Sequence, residues 1–181
     1  LQHGLRALSK APNIRLSVNM SARAIGYSRW NKVLDRFLKQ DATIGERLVL
    51  EITEASAMDT PELVIDFMDR MQKHGIAFAL DNFGAGATAI GHFRDFLFDA
   101  VKIDGQFIRG LSGSLDNQAV VRALVGIAKQ FDMLVVAESV ETEQDAALLV
   151  SMGVDCLQGF LYGAPSVTPP WMEEMKQRSS A

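Results

Sequence analysis

Short apolar runs, each ending in an acidic or amide side chain, recur along this chain and alternate with stretches of helical spacing. The clearest is Gly75 to Gly86, G-I-A-F-A-L-D-N-F-G-A-G, in which Ile76 to Leu80 runs into Asp81 and Asn82 and then breaks at Gly84 and Gly86. An apolar run of that length bounded by glycines suits a strand covered on both faces, as in a parallel sheet. Side chains at the carboxyl end of such a strand point into the region where α/β proteins bind ligands. Taken alone, the same residues also read as an Asp/Asn turn entering a glycine loop.

In chain order, Arg15 to Asn19 is the first strand, and a helical region follows from Ala22 to Lys39 with Trp30, Val33, Leu34, Phe37 and Leu38 at helical spacing. Arg47 to Thr53 is the second strand. Thr60 as cap and Pro61 in the first turn open the next helix, which stops at Gly75 and buries Leu63, Phe67, Met68 and Met71. Beyond the Gly75–Gly86 stretch come a short helix at Ala87 to Phe96, a strand at Ala100 to Ile103, and a longer helix at Asp116 to Phe131. A strand at Met133 to Ala137, a helix from Thr142 to Gly153 and a strand at Cys156 to Phe160 complete the alternation. Residues 166–181 form a polar carboxyl-terminal helix or tail. Alternation with short connections means an α/β fold around a parallel sheet, open or closed into a barrel.

The 181 residues suit a single domain spanning 1–181, with enough chain for a sizeable core. A formal charge of −4 argues against a nucleic-acid polymer as partner, and no basic run or membrane-length apolar run occurs. The lone Cys156 excludes an internal disulfide and fits a reducing compartment. The opening L-Q-H-G-L-R-A-L-S-K reads as a helix already under way, so the sequence reads as a fragment or trimmed domain.

The polar strand ends define the chemistry. Asn19 ends the first strand, Glu51 and Glu54 the second, and Asp81 and Asn82 the third. Lys102 and Asp104 belong to the fourth, Glu138 and Glu141 follow the fifth, and Gln158 lies in the sixth. In a parallel sheet these side chains gather on one rim. Carboxylates brought together repel and need a counter-ion. An oxygen-ligated divalent cation supplies it, and a mixed Asn/Asp/Glu set without Cys or His suits Mg²⁺ or Mn²⁺ rather than Zn²⁺. Any single strand-end carboxylate is as readily a helix cap or a surface charge, and Lys102 reads equally as a plain salt-bridge partner of the rim.

V-N-M-S (18–21), L-E-I-T-E (50–54), L-D-N-F-G (80–84), V-K-I-D (101–104), A-E-S-V-E (137–141) and Q-G-F (158–160) occur in the order and spacing of EAL domains. From about Ile14 to Pro165 the chain resembles that family, the bacterial phosphodiesterases of cyclic di-GMP. The resemblance implies a TIM-like (β/α)8 barrel with an antiparallel first strand. It also implies hydrolysis of cyclic di-GMP to linear pGpG by a water activated between two Mg²⁺ or Mn²⁺ ions. By position, Asn19, Glu51 and Asp81 resemble ligands of the first ion, with Asp81 bridging to the second. Asn82 and Glu138 fall at second-ion positions. Lys102 matches the lysine near the attacking water, and Glu54 the glutamate that anchors the loop after the Asp81 strand. Glu141 matches a further active-site position, and Gln158 and Asp104 are assigned to the substrate. The family further implies homodimers, fused sensor or diguanylate-cyclase-like domains, and a cytoplasmic location, free or tethered to a membrane segment elsewhere.

Three departures stand beside the matches. The Glu-Ala-Leu signature is absent from these residues, in keeping with a barrel that lacks its first strand and helix, since such barrels typically need about 250 residues. Asn82 stands where the family has a second Asp, and its amide brings no charge to the second ion. A-G-A-T-A (85–89) replaces the family's T-G-Y-S-S, so Glu54 is expected to have lost its partners and the loop to move. Three readings follow: a phosphodiesterase impaired in this copy, an inactive cyclic di-GMP receptor, or a protein-interaction module.

Overall fold

The computed structural model describes residues 1–86, 95–167 and 169. The chain opens with α1 (Gln2–Lys10), which buries Leu5 and Leu8. Strand β1 (Leu16–Asn19), α2 (Ser28–Gln40) and α3 (Thr43–Arg47) lead to β2 (Leu48–Thr53). Then come α4 (Glu54–Asp59), α5 (Pro61–Gln72), β3 (Ala77–Phe83), β4 (Ala100–Ile103) and α6 (Gly105–Ile108). Helix α7 (Leu115–Gln130), β5 (Leu134–Ala137), α8 (Glu143–Ser151) and β6 (Cys156–Leu157) complete the described elements. The expected helix at Ala87 to Phe96 and most of the 166–181 tail lie outside the described residues.

The six strands form one sheet in chain order, and each is parallel to its predecessor. Sequential parallel pairing forces each connection to cross back over one face, and helices make the described crossings from β1 to β2, β2 to β3, β4 to β5 and β5 to β6. The register sorts the strand residues into two faces. Leu50 pairs with Phe78, Leu80 with Val101, and Val101 with Val135, and all of these side chains are fully buried. Burying one such side chain stabilises the fold by about 1.5–3 kcal/mol. The other face carries Glu51 opposite Ala79, Ala79 opposite Ala100, and Lys102 opposite Val136. The alternation of strand side chains therefore splits core from site.

Helix ends follow local chemistry. The side chains of Thr53, Ser114 and Thr142 accept from the backbone N–H groups of Ser56, Asn117 and Asp145, and so cap α4, α7 and α8. Pro61 sits in the first turn of α5, where its missing N–H is no loss. Arg47 donates from Nη1 to the carbonyls of Leu8 and Ala11 at 2.9 and 2.8 Å, tying the end of α1 to the entrance of β2.

Four sequence expectations change. The single helix from Ala22 to Lys39 is two pieces, a 3-10 turn at Ala22–Gly26 and α2, joined at extended Tyr27. Asn31 braces that joint by donating to the Ile25 carbonyl at 2.9 Å. On α5 the buried face includes Val64 rather than Leu63, which is 45% exposed. The last strand is only Cys156–Leu157, because the following chain wraps a single residue: Val140 donates to the Gln158 carbonyl and accepts from Leu161. The Gly159 backbone lies so close to Val140 that a Cβ would stand 2.1 Å from its carbonyl oxygen. Finally, the short helices α3, α4 and α6 fall in segments that the sequence pattern leaves as connections.

Candidate active site

The carboxyl ends of β2, β3, β4 and β5 bring Glu51, Asp81, Lys102 and Glu138 together. Glu51 and Lys102 stand on strands separated by β3; Glu51 is in register with Ala79, and Ala79 in turn with Ala100, two residues before Lys102. The two long side chains meet across β3, with Lys102 Nζ 2.8 Å from Glu51 Oε2. The same ammonium lies 2.6 Å from Glu138 Oε1 and 3.7 Å from Asp81 Oδ1. Glu51 and Lys102 are both 6% exposed, so this is a desolvated cluster rather than a surface pair.

One ammonium faces three carboxylates, and the cluster keeps a negative excess. Burial by itself pushes the Lys102 pKa down. Its hydrogen bonds to Glu138 and Glu51 outweigh that and hold it above the ordinary lysine range, so it is charged at neutral pH. Asp81 Oδ1 is buried without a hydrogen-bond partner among the described residues, since 3.7 Å is too long for one. An orphaned buried carboxylate oxygen in an oxygen-rich, negatively charged cluster fits a hard divalent cation. As they stand, no three described His, Cys, Asp or Glu side chains form a ready cation cage; the lysine occupies the middle.

The other candidates are arranged around this cluster. Asn82 follows Asp81 with φ of 58°, at the point where the β3–β4 register shifts. Asn tolerates this left-handed conformation better than most residues, and Asp does so for the same reason. Glu54, the first residue of α4, is buried and accepts from the Gly84 N–H at 3.2 Å. The expectation that Glu54 had lost its partners is therefore corrected. One of its partners is a backbone amide, which does not depend on the side chains that A-G-A-T-A lacks. Gly84 has φ of 90°, and a Cβ there would lie 2.8 Å from Leu124, so the anchored turn requires glycine.

Asp104 caps α6 by accepting from the Gln106 N–H at 2.7 Å. Asn19 and Gln158 are exposed on or beside the two edge strands. Glu138, Glu141 and Gln158 line a cavity of about 600 Å³ with Arg109, Phe160 and Tyr162. Arg109 donates to Ser139 Oγ at 3.1 Å and lies 3.8 Å from Glu141 Oε1. Sequence reasoning passed over Arg109 because it lies in no motif; Tyr162 follows Q-G-F closely enough to have been found.

Residues 1–165 match the EAL domain family. The chain is 31% identical over 170 residues to the cyclic di-GMP phosphodiesterase PdeF of Escherichia coli strain K12, covering 91% of this chain and 23% of that protein. Among solved structures, the PaMucR phosphodiesterase in complex with c-di-GMP superposes with a TM-score of 0.79 at 28% identity, covering 91% of this chain and 66% of that one. The EAL domain of Mycobacterium smegmatis DcpA superposes with a TM-score of 0.82 at 26% identity, covering 96% of this chain and 78% of that one. The chain thus spans about a quarter or less of the curated relatives it matches.

Proposed function

The chain belongs to the EAL domain family, its six-stranded parallel sheet being an incomplete barrel of that type, and on that premise we propose that it is a cyclic di-GMP phosphodiesterase domain of impaired turnover. The reading is carried by one observation: Glu51, Asp81 and Glu138 converge on Lys102 from the ends of β2, β3 and β5, with Asp81 Oδ1 left without a hydrogen-bond partner among the described residues. The names of PdeF and PaMucR support the substrate.

In this reading Asn19, Glu51 and Asp81 would hold one Mg²⁺ or Mn²⁺, and Asp81, Asn82 and Glu138 would hold a second. Such ions, when bound, acidify the attacking water and offset the charge developing on the phosphoryl group. The chain's own contribution is positional. Lys102 presents a positive charge beside the scissile phosphodiester, where it favours the more negative transition state over the substrate. Glu54 holds the turn at Gly84 against the cluster. Glu141 and Gln158, on the cavity beside Glu138, contact the dinucleotide.

Asn82 is the source of the impairment, because an amide oxygen supplies a ligand without a charge. The receptor reading keeps the same cavity and loses only turnover. The bifunctional diguanylate cyclase/phosphodiesterase MucR of Pseudomonas aeruginosa supports reading the domain as one module of a larger signalling protein.

The test is incubation of the purified protein with cyclic di-GMP and excess Mn²⁺, with products separated by chromatography. Slow release of linear pGpG that stops on adding a chelator is the expected result. Intact cyclic di-GMP together with measurable binding would select the receptor reading, and absence of binding would overturn both.

A further inference from the structure

We infer that Lys102 is a resident counter-ion that competes with a divalent cation for Glu51 and Glu138, so that the firmness of its hold sets the metal affinity of the domain. The inference rests on the reading of the cluster as a metal site, and it concerns how the metal-free protein keeps that site assembled.

Three carboxylates on neighbouring strands repel in a desolvated setting, and an arrangement without positive charge among them would splay or take up protons. Lys102 prevents this. It is nearly buried and bonds Glu51 at 2.8 Å and Glu138 at 2.6 Å, with Asp81 at 3.7 Å. Hydrogen bonds between ionised partners are about twice as strong as neutral ones. The ammonium therefore does for these carboxylates what a bound cation would do.

The two cannot share the same oxygens. Like charges at contact distance in a low-dielectric site repel strongly, and a cation entering between Glu51 and Glu138 must displace the ammonium from at least one. Asp81 is itself a ligand in that reading, so its Oδ1, 3.7 Å from Nζ, gives the displaced ammonium no free acceptor. The register partner of Lys102 on β5 is Val136, which offers no side-chain acceptor. Metal affinity is thus lowered by the work of moving Lys102, as for any ligand whose binding-competent state is a minority.

The experiment compares Mn²⁺ binding by calorimetry, and melting temperature in chelator and in Mn²⁺, for the wild type, Lys102→Met and Lys102→Gln. The expected result is Mn²⁺ binding at least tenfold tighter in both variants. In chelator both should melt lower than the wild type, and Mn²⁺ should raise their melting temperature by more. Wild-type binding with equal or weaker binding in the variants would overturn this inference and leave the metal reading intact. No Mn²⁺ binding by any of the proteins would overturn both. Should the variants fail to fold, the lysine ammonium resonance of the ¹⁵N-labelled wild type decides. A stoichiometric change of the Lys102 signal on adding Mg²⁺ supports displacement, whereas an unchanged signal under Mg²⁺, bound or not, overturns it.

Discussion

Lys102 on β4 reaches across β3 to bond Glu51 on β2 at 2.8 Å. This contact ties β2 to β4 through one ion pair and places the one positive charge among the described residues of the cluster at its centre. Glu51→Ala is expected to weaken Mn²⁺ binding and to destabilise the fold by about 2 kcal/mol, because Lys102 keeps Glu138 but loses a buried acceptor. Calorimetry and denaturant titration check the two effects. Unaltered metal affinity would show that Glu51 is no ligand.

Asn82→Asp restores the missing carboxylate at a position whose backbone accepts either residue, with φ of 58°. Stability should therefore change by less than about 0.5 kcal/mol. Mn²⁺-dependent hydrolysis of cyclic di-GMP should rise at least about tenfold, equivalent to about 1.4 kcal/mol of barrier. An unchanged rate with metal visibly bound would contradict the account of impairment.

Glu54→Ala removes the acceptor of the Gly84 amide and is expected to cost about 1–3 kcal/mol. Hydrogen exchange at the Gly84 N–H is the direct readout and should accelerate markedly. Glu54→Gln retains a carbonyl acceptor and should exchange much more nearly as the wild type does.

The strand ends were readable from the sequence because each apolar run closes on a polar residue, and the alternation of helix and strand follows from the same spacing. What the sequence hid is set by long-range geometry. The hub position of Lys102 depends on the order and register of β2, β3, β4 and β5, which a one-dimensional pattern does not contain. One of the partners of Glu54 is a backbone N–H, so reading side chains at 85–89 led to the wrong expectation. The truncation of β6 follows from the close approach of Gly159 to Val140, a contact made by backbone rather than by residue type. Leu63 was placed one position off the buried stripe of α5, where adjacent Leu63 and Val64 are equally apolar and only packing decides between them.

Asp145 is 1% exposed and pins α8 to the preceding turn, accepting from the Ser112 N–H at 2.7 Å and the Thr142 hydroxyl at 2.8 Å. Burial alone would raise its pKa, but the hydrogen bonds from Ser112 and Thr142 prevail and hold it below the ordinary aspartate value. A carboxyl with a lowered folded-state pKa stabilises fully above its unfolded value, near 3.9, and loses that contribution as pH falls through the folded value. Asp145→Asn should therefore be destabilised at pH 7 by about 1–2 kcal/mol, and the gap to the wild type should narrow as the pH is lowered below 4. Denaturant titrations across that range give the comparison, and a gap that stays constant would contradict the assignment.

If the cluster around Lys102 is a metal-bearing hydrolytic centre, turnover should require Asp81. The most direct measurement is release of pGpG from cyclic di-GMP at saturating Mn²⁺ by the wild type and by Asp81→Ala, each shown by thermal melting to be folded. Slow, chelator-sensitive release by the wild type and none by Asp81→Ala is the predicted result. Equal release by the two proteins would contradict it.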